Sequence, residues 1–393
     1  MHNDKPVAII GSGHTPFGRL GQDNLESLIV AAAREALADA DIPPADVDQI
    51  YLGHFNSGMV SDGFASSLVL QAHEDLRFKP AARCENACAS GAAAIFAGLN
   101  AIRSGAARVV LVVGAEKMTS RTTEEVTAAL AGAGYQHDAA ERGLSFPQLF
   151  ALAAQAYGQR WQDPLPAMAA IAAKNHRHAL RNPLAQMQRE LSESFCNTVS
   201  DKNPLIAPPL RMTDCSLITD GAAAVVLAAP DVAAQAKRSA LFRAAVHVSD
   251  RLPLKGRDLV AFEGPRRAFA QAYAQAGVGL DALHFAEVHD CFTIAELLIY
   301  EAMGLAAPGH APALLAERAT ERGGRLPVNL SGGLKAKGHP VGATGVSMHA
   351  LAFRQLTGQA GDMQLPRADL GLVFNMGGAA VASYATILQT GRA

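Results

Sequence analysis

The chain alternates short, continuous apolar runs with longer stretches in which apolar residues recur at helical spacing. Apolar runs over 7–11, 47–53, 108–114 and 222–229 are typical of buried strands. Helical spacing over 23–40 and 91–104 predicts amphipathic helices between them. Strands that alternate with helices favour an α/β protein with a parallel or mixed sheet covered by helices.

The later part of the chain repeats this plan. The helix–loop–strand pattern of 33–52 can be laid over 269–288 without a gap, and the strand pattern of 108–113 can be laid over 370–375. Two matches in the same order indicate duplication of one α/β unit. Chance similarity between two ordinary helix–loop–strand units is the alternative interpretation.

Residues 119–212 interrupt the pattern. They are more polar, show helical spacing over 146–161, 165–180 and 182–192, and contain no convincing strand. We interpret them as an inserted, mainly helical segment. The predicted organisation is a first half at 1–118 plus 213–237, an insertion at 119–212, and a second half at 238–393.

Composition narrows the possible function. The net charge of −2 and the absence of a long basic run give no footprint for a nucleic acid. No apolar run reaches the roughly 18–20 residues that a membrane span needs. The five cysteines include no CxxC pair, which argues against a disulfide framework or a zinc site and favours a cytoplasmic location.

Cys88 is the first candidate for chemistry. It follows a short strand pattern and precedes the helix over 91–104. A helix N-terminus favours thiolate over thiol and supplies N–H donors for an oxyanion. The alternative is a structural cysteine that behaves as a small buried hydrophobe.

Three further candidate sites lie at two strand ends and in a glycine-rich stretch. His289 and Cys291 follow the strand pattern of 284–288, and open α/β sheets bind ligands at that end of their strands. His339 lies in the glycine-rich stretch 329–345, which leads into a helical pattern, although a structural loop with an incidental histidine is equally consistent. Gly377 lies just past a strand and can expose a backbone N–H. We interpret the remaining histidines as surface or satisfied structural groups, among them His14, His54, His137, His176 and His178.

Four motifs resemble those of thiolases. Glu85-Asn-Ala-Cys88-Ala-Ser-Gly91 resembles the nucleophile motif of that family, and Gly338-His339-Pro-Val-Gly-Ala-Thr-Gly345 resembles its histidine motif. Residues 114–118 and 219–224 resemble two further thiolase blocks, and all four occur in the order of the family. The resemblance implies the thiolase fold: two βαβαβαββ halves in a five-layered α-β-α-β-α core, with an inserted loop domain. It also implies a homodimer or tetramer.

Two departures point to a branch of the family. Most thiolases have Asn-Glu-Ala-Phe where this chain has His289-Asp-Cys291-Phe, and they have a second catalytic cysteine where it has Asn375. The His-Asp-Cys-Phe form is similar to the sterol-carrier-protein-type thiolases. In those enzymes the second cysteine lies in that motif, which here is Cys291.

The resemblance implies a role for each candidate. Cys88 is the nucleophile that carries the acyl group, and His339 takes its proton and faces the thioester oxygen. His289 joins His339 in this first oxyanion hole, and Cys291 is the acid/base. The backbone N–H groups of Cys88 and Gly377 form a second oxyanion hole. Acyl-CoA and CoA are then substrates, and neither a cofactor nor a metal is expected.

The implied reaction is thiolytic cleavage of a 3-ketoacyl-CoA, or the reverse Claisen condensation. One alternative is a thiolase-like acyltransferase or retro-aldol lyase that works with a small zinc-ribbon/OB-fold partner. Another is a protein that binds acyl-CoA or lipid without catalysis. Chain length, direction and CoA-binding residues stay open, as does whether Cys291 replaces the cysteine missing at Asn375.

Overall fold

The computed structural model describes residues 6–391, so the predicted outer boundaries at 1 and 393 lie outside the described residues. The strands are β1 (Ala8–His14), β2 (Gln49–Gly53), β3 (Ala81–Cys84), β4 (Val109–Glu116), β5 (Leu205–Ala207), β6 (Leu210–Arg211), β7 (Gly221–Ala228), β8 (Ala240–Ser249), β9 (Phe285–Val288), β10 (Leu370–Gly377) and β11 (Ala382–Thr390).

The α-helices are α1 (Leu25–Ala40), α2 (Ser90–Arg103), α3 (Thr123–Ala131), α4 (Phe146–Arg160), α5 (Leu165–Ala179), α6 (Glu193–Asn197), α7 (Pro230–Ala233), α8 (Glu263–Ala276), α9 (Thr293–Ala302), α10 (Ala311–Ala316) and α11 (Thr344–Leu356). The 3₁₀ helices are Pro44–Asp46, Ala65–Ala72, Glu74–Leu76, Met212–Asp214, Leu280–Ala282 and Gly361–Met363, and Gly333–Lys337 forms a π-helical turn.

The two halves have the same strand order. In the first half it is β3-β2-β4-β7-β1, and in the second it is β9-β10-β11-β8. Val328 makes a parallel bridge to Ala286 of β9, at the place that β3 takes beside β2. In the first half β3–β2 and β2–β4 are parallel, whereas β4–β7 and β7–β1 are antiparallel. In the second half β9–β10 is parallel, whereas β10–β11 and β11–β8 are antiparallel. A short antiparallel pairing of β1 with β8 joins the halves.

Helices cover both faces of each strand set. Strand β4 is buried throughout: Val109, Leu111 and Val113 pack in the cluster beneath α1, while Val110 and Val112 belong to the cluster that contains residues of α2. Alternate residues of a strand face opposite sides of its sheet, so a continuous apolar run fits a strand covered twice. Helix α11 packs against α2 and contacts strands of both halves, and α8 covers β8 and β11. The layers therefore run α-β-α-β-α.

The segment 119–212 is mainly helical, but it differs from the sequence prediction in two places. The prediction of a helix over 182–192 is wrong, because these residues follow an irregular path. Pro183 disfavours the helix, and the backbone N–H groups of Gln186 and Met187 donate instead to the carbonyls of Lys337 and Ala336. The segment also contains the small sheet β5–β6, which the sequence did not reveal.

Between residues 6 and 391, no helix combines the length and the apolar character that crossing a membrane requires.

Candidate active site

Cys88 lies in a tight turn between β3 and α2. Ala87, the residue before it, adopts the left-handed φ of 50°. The hydroxyl of Ser90 fixes the turn, since it accepts from the N–H of Asn86 at 2.9 Å and donates to the carbonyl of Ala87 at 2.6 Å. A strained conformation held by such bonds is common at functional turns. It presents Cys88, which is partly exposed, to a large cavity.

The thiol of Cys88 is protonated at neutral pH. Burial raises its pKa to about 12, and the backbone N–H groups of Gly378 and of Cys88 itself only partly oppose this rise. The prediction that the helix N-terminus favours a thiolate is therefore wrong. Helix α2 begins only at Ser90, and desolvation outweighs its N–H groups. Cys88 consequently needs a neighbouring base.

His339 follows the π-helical turn Gly333–Lys337 and is held by two contacts from the first half. Its backbone N–H donates to Oγ1 of Thr219 at 3.0 Å. The N–H of Gly342 donates to the buried carboxylate of Glu116 at 3.0 Å. Glu116 and Thr219 belong to the sequence blocks 114–118 and 219–224, so these two blocks hold the loop of His339 in place.

The hydrogen bonds of His339 define its tautomer. The hydroxyl of Thr344 donates to the carbonyl of Pro340 at 3.0 Å, and Nδ1 of His339 lies 2.7 Å from the same hydroxyl oxygen. Because that oxygen has already donated its proton, Nδ1 is the donor to it, and Nε2 carries the lone pair. Nε2 is buried and has no partner. Burial and the charge of Lys337 lower the pKa of His339 to about 3, so the ring is neutral at rest.

Asn375 defines the opposite tautomer for His289. Its Nδ2 lies 3.2 Å from the carbonyl oxygen of Cys88 and 2.9 Å from Nδ1 of His289. A carbonyl can only accept, so this atom is the amide nitrogen, and Nδ1 of His289 must accept from it. The proton of the neutral ring is therefore on Nε2. Burial, followed by the influence of His339, lowers the pKa of His289 and keeps it neutral.

The two rings and the thiol converge. The ring planes of His289 and His339 meet edge-on, with centroids 5.1 Å apart. One nitrogen of each ring and Sγ of Cys88 all lie within 4.8 Å of one another. This spacing could hold a metal ion, but the tautomer fixed by Asn375 leaves one ring as a donor and the other as an acceptor. Such a pair suits proton transfer to and from Cys88 and its substrate.

Cys291 lines the same cavity as Cys88 and is 6% exposed. Its carbonyl accepts from the N–H of Ser216 at 2.9 Å. Burial, followed by the influence of Cys88, raises its pKa well above the ordinary value, so it is a thiol at rest. The neighbouring Asp290 accepts from the N–H of Leu334 at 2.6 Å and thereby ties the His-Asp-Cys-Phe motif to the turn before His339.

Two glycines allow the N-termini of α2 and α11 to touch. A Cβ on Gly345 would lie 2.3 Å from the nitrogen of Ala92 and 2.5 Å from Oδ1 of Asn375. A Cβ on Gly91 would lie 2.8 Å from the carbonyl oxygen of Gly342. Close contact of these helix ends brings Cys88 and His339, from different halves of the chain, to one site.

The cavity in front of these residues has a volume of about 700 Å³. The inserted segment supplies much of its wall, and most of the lining is apolar, including Val126, Leu130, Phe146, Met187, Leu191 and Phe195. Arg189 and Lys202 are exposed at its edge. Such a cavity has the size and apolar character of a small-molecule site.

The structure brings Cys88, His289, Cys291 and His339 to one site, while their roles stay predictions. Sequence reasoning identified Gly377 and Gly378 as glycines that can expose a backbone N–H but did not assign the contact of the Gly378 N–H with the sulfur. The role of Gly377 also stays a prediction. It also missed Thr344, although this residue stands in the histidine motif at the start of α11. The interpretation as a satisfied or surface group is wrong for His176, which lines the cavity, and for His54, because the buried Nε2 of each has no partner.

Comparisons with known proteins agree with this arrangement. Residues 7–231 match the model of the thiolase N-terminal domain, and residues 245–390 match that of the thiolase C-terminal domain-like family. The chain therefore belongs to the thiolase family. The fold and family predicted from the sequence motifs are confirmed.

Curated relatives include acyltransferases. An acetyl-CoA acetyltransferase of Methanothermobacter thermautotrophicus is 35% identical over 378 residues, which cover 95% of this chain and 97% of that protein. Sterol carrier protein 2 of Oryctolagus cuniculus is 31% identical over 402 residues, which cover 96% of this chain and 71% of that protein. Among solved structures, the Ltp2-ChsH2(DUF35) aldolase has a TM-score of 0.81 at 23% identity and covers 98% of each chain.

Proposed function

We propose that this protein is an acyl-CoA C-acyltransferase that cleaves 3-ketoacyl-CoA with CoA, or runs the reverse Claisen condensation, through an acyl-enzyme on Cys88. The observation that carries the proposal is the pair of neutral imidazoles beside the Cys88 thiol, one with a free lone pair and one with a free N–H. Binding alone requires neither this pair nor two thiols, so a purely binding protein is disfavoured. The relatives that are acetyl-CoA acetyltransferases support an acyltransferase.

In the cleavage direction, His339 takes the proton of Cys88, and the sulfur attacks the 3-keto carbon. The bond between C2 and C3 breaks, and its electron pair moves into an enolate of the departing thioester. The N–H groups of protonated His339 and of His289 stabilise the enolate oxygen, and each donor of this kind contributes about 10²–10³ in rate. Cys291 protonates C2 and becomes a thiolate.

The second half-reaction returns each proton. Cys291 takes the proton of the CoA thiol, whose sulfur attacks the acyl group on Cys88. The backbone N–H groups of Cys88 and Gly377 hold the oxyanion of the tetrahedral intermediate, and the N–H of Gly378 assists the sulfur as it leaves. Cys88 recovers its proton from His339, so the cycle balances without a cofactor or a metal, and CoA acts as a substrate.

Further parts of the proposal concern binding and assembly. The exposed cations Arg189 and Lys202, at the edge of the cavity, bind the phosphates of CoA while its pantetheine arm reaches Cys88. The protein assembles as a homodimer or tetramer and works in the cytoplasm, where its free cysteines stay reduced.

A retro-aldol lyase is the second candidate, because the structure of the Ltp2-ChsH2(DUF35) aldolase shares this fold. Such an enzyme needs a base for a 3-hydroxyl group and needs no acyl-enzyme. In that case a small zinc-ribbon/OB-fold partner completes the site.

One assay separates the candidates. The purified protein is given 3-ketoacyl-CoA substrates of short and long chain with CoA, and 3-hydroxyacyl-CoA substrates without CoA. The proposal predicts CoA-dependent cleavage of the keto substrates only, which stops after Cys88 is alkylated by iodoacetamide. Cleavage of the hydroxy substrates without CoA indicates the lyase. Binding without turnover of either class indicates a non-catalytic protein.

A further inference from the structure

Two polar side chains stand in the mainly apolar wall of the cavity. Lys335 and His176 both line it, and they are only 4% and 1% exposed. Neither belongs to the four-residue site of the two thiols and two imidazoles. Polar groups buried in an apolar wall usually have a partner, so each raises the question of what completes it.

The ammonium group of Lys335 has no counter-ion. Within residues 6–391, no carboxylate oxygen lies within 4.0 Å of Nζ, and no side-chain hydrogen bond is formed by it. The two carboxylates that influence it have other partners. Asp214 accepts from Arg211 at 2.7 Å, and Asp290 accepts from the backbone N–H groups of Leu334 and Lys335 at 2.6 and 3.1 Å. An unpaired buried charge is costly unless a bound anion completes it.

His176, which lines the same cavity, has an unused acceptor. Its Nδ1 lies 2.9 Å from the carbonyl oxygen of Arg189, which can only accept, so Nδ1 carries the proton. Nε2 therefore has a lone pair, and it is buried without a partner. Burial and then the charge of Lys335 lower the pKa of His176 to about 4, so the ring is neutral.

The position of this pair relates it to the acyl group. The backbone N–H of Lys335 donates a hydrogen bond to the carboxylate of Asp290, which precedes Cys291. The pair therefore adjoins the acid/base side of the site. The cations proposed for CoA, Arg189 and Lys202, are exposed at the edge instead. A group bound at the buried ammonium of Lys335 is thus distinct from phosphates bound by these exposed cations.

We propose that Lys335 binds a carboxylate at the far end of the acyl group, so that the preferred substrates are CoA thioesters of dicarboxylic acids. A carboxylate oxygen accepts from the ammonium, and its negative charge supplies the counter-ion that Lys335 lacks. The inference deepens the proposed function and rests on it for the identity of the thioester. An apolar acyl tail would leave the ammonium without a counter-ion.

The test compares succinyl-CoA with butyryl-CoA, whose acyl groups have the same number of carbons and differ in the terminal carboxylate. Affinity is measured by calorimetry in the Cys88→Ala background, where no acyl-enzyme can form. Acylation of Cys88 is measured by intact mass with Cys88 present. The inference predicts at least tenfold tighter binding and faster acylation with succinyl-CoA.

Lys335→Met is expected to weaken binding and acylation by succinyl-CoA about 10–100-fold, as for loss of a hydrogen bond to a charged group, and to leave butyryl-CoA within about threefold. Lys335→Arg should retain part of the preference. Lys255→Met, which removes an exposed lysine outside the cavity, is the matched control. Thermal unfolding of each variant identifies a folding defect, and Lys335→Gln replaces Lys335→Met if that variant is unstable.

The outcomes separate the two proposals. The carboxylate site is overturned if the wild type binds the two thioesters equally tightly and is acylated by them equally fast. It is also overturned if Lys335→Met loses affinity equally for both, whether or not the thiolase reaction occurs. A lysine-dependent preference in binding without acylation of Cys88 keeps the carboxylate site and overturns the acyl-enzyme.

Discussion

Asn375 donates its side-chain amide to Nδ1 of His289 over 2.9 Å, and the same nitrogen is bonded to the carbonyl of Cys88. The position where most thiolases are expected to have a cysteine thus holds a residue that orients a ring. Because Nδ1 of His289 must accept from the amide, its Nε2–H is available to a substrate oxygen. Asn375 and His289 both differ from the usual thiolase residues, and they act together because the amide of Asn375 orients the ring of His289.

Replacing Asn375 by aspartate should reverse the tautomer of His289. A carboxylate accepts from Nδ1–H, which moves the lone pair to Nε2 and removes an oxyanion donor. We expect kcat for thiolysis to fall about 10²–10³-fold with little change in KM. Asn375→Ala, which leaves the tautomer free, should lose less. Steady-state kinetics check this order, and an Asn375→Asp variant as active as the wild type would contradict the assigned tautomer.

Much of the fold could be predicted from the sequence because its strands are buried on both faces. The apolar runs that became β4 and β7 fit strands covered on both faces, and the repeated helix–loop–strand pattern reflects the shared strand order. The helix predicted over 182–192 failed because its local spacing competes with hydrogen bonds to a segment about 150 residues later. Contacts of that range leave no periodic signal.

The functional site could likewise be predicted only in part. Cys88, His289, Cys291 and His339 stand in recognisable motifs, so their identities could be proposed from the sequence. Their protonation states could not, because the pKa of Cys88 depends on burial and the tautomers of both rings depend on hydrogen-bond partners, Thr344 and Asn375, that only the folded chain identifies. Lys335 and His176 could not be identified from the sequence either, because only the structure shows that both line one cavity.

Thr344 should matter for proton transfer although it does not reach the cavity. Its hydroxyl fixes the proton of His339 on Nδ1 and leaves Nε2 free. Thr344→Val keeps the shape and removes this acceptor, so we expect kcat to fall about 10–100-fold, as for other residues that orient a functional ligand. Thr344→Ser should restore most of the activity. The hypothesis fails if Val and Ser variants have equal kcat and the alkylation rate of Cys88 is unchanged in both.

The alkylation rate of Cys88 should depend on pH in a specific way. A pKa of about 12 leaves a thiolate fraction of about 10⁻⁵ at pH 7, and this fraction rises as the pH rises. In His339→Ala, where the base is absent, the rate with iodoacetamide should therefore increase about tenfold per pH unit from pH 7 to 10. The wild type should react at least tenfold faster at pH 7.

Mass spectrometry of the labelled cysteine distinguishes Cys88 from Cys84, Cys215 and the buried thiols. A rate in His339→Ala that is already constant between pH 7 and 9 would show a thiolate formed without the histidine.

Gly345→Ala should destabilise the crossing of α2 and α11. The added Cβ would lie 2.3 Å from the backbone of Ala92, which cannot move without shifting the turn at Cys88. Overpacking of this kind costs about 1–3 kcal/mol in the free energy of unfolding. Gly21→Ala is a control, since nothing lies within 4 Å of its added Cβ. Thermal unfolding should show a lower midpoint for Gly345→Ala alone, and equal midpoints would contradict close packing at Gly345.

Intact-mass measurement combined with turnover tests whether Cys88 forms the acyl-enzyme while Cys291 acts as a separate acid/base. Wild type, Cys88→Ala and Cys291→Ala are incubated with acyl-CoA and then assayed for thiolysis of 3-ketoacyl-CoA. We predict that the wild type and Cys291→Ala gain the mass of one acyl group, that Cys88→Ala does not, and that only the wild type cleaves the keto substrate. Full cleavage activity in Cys291→Ala, or an acyl group retained in Cys88→Ala, would contradict the account.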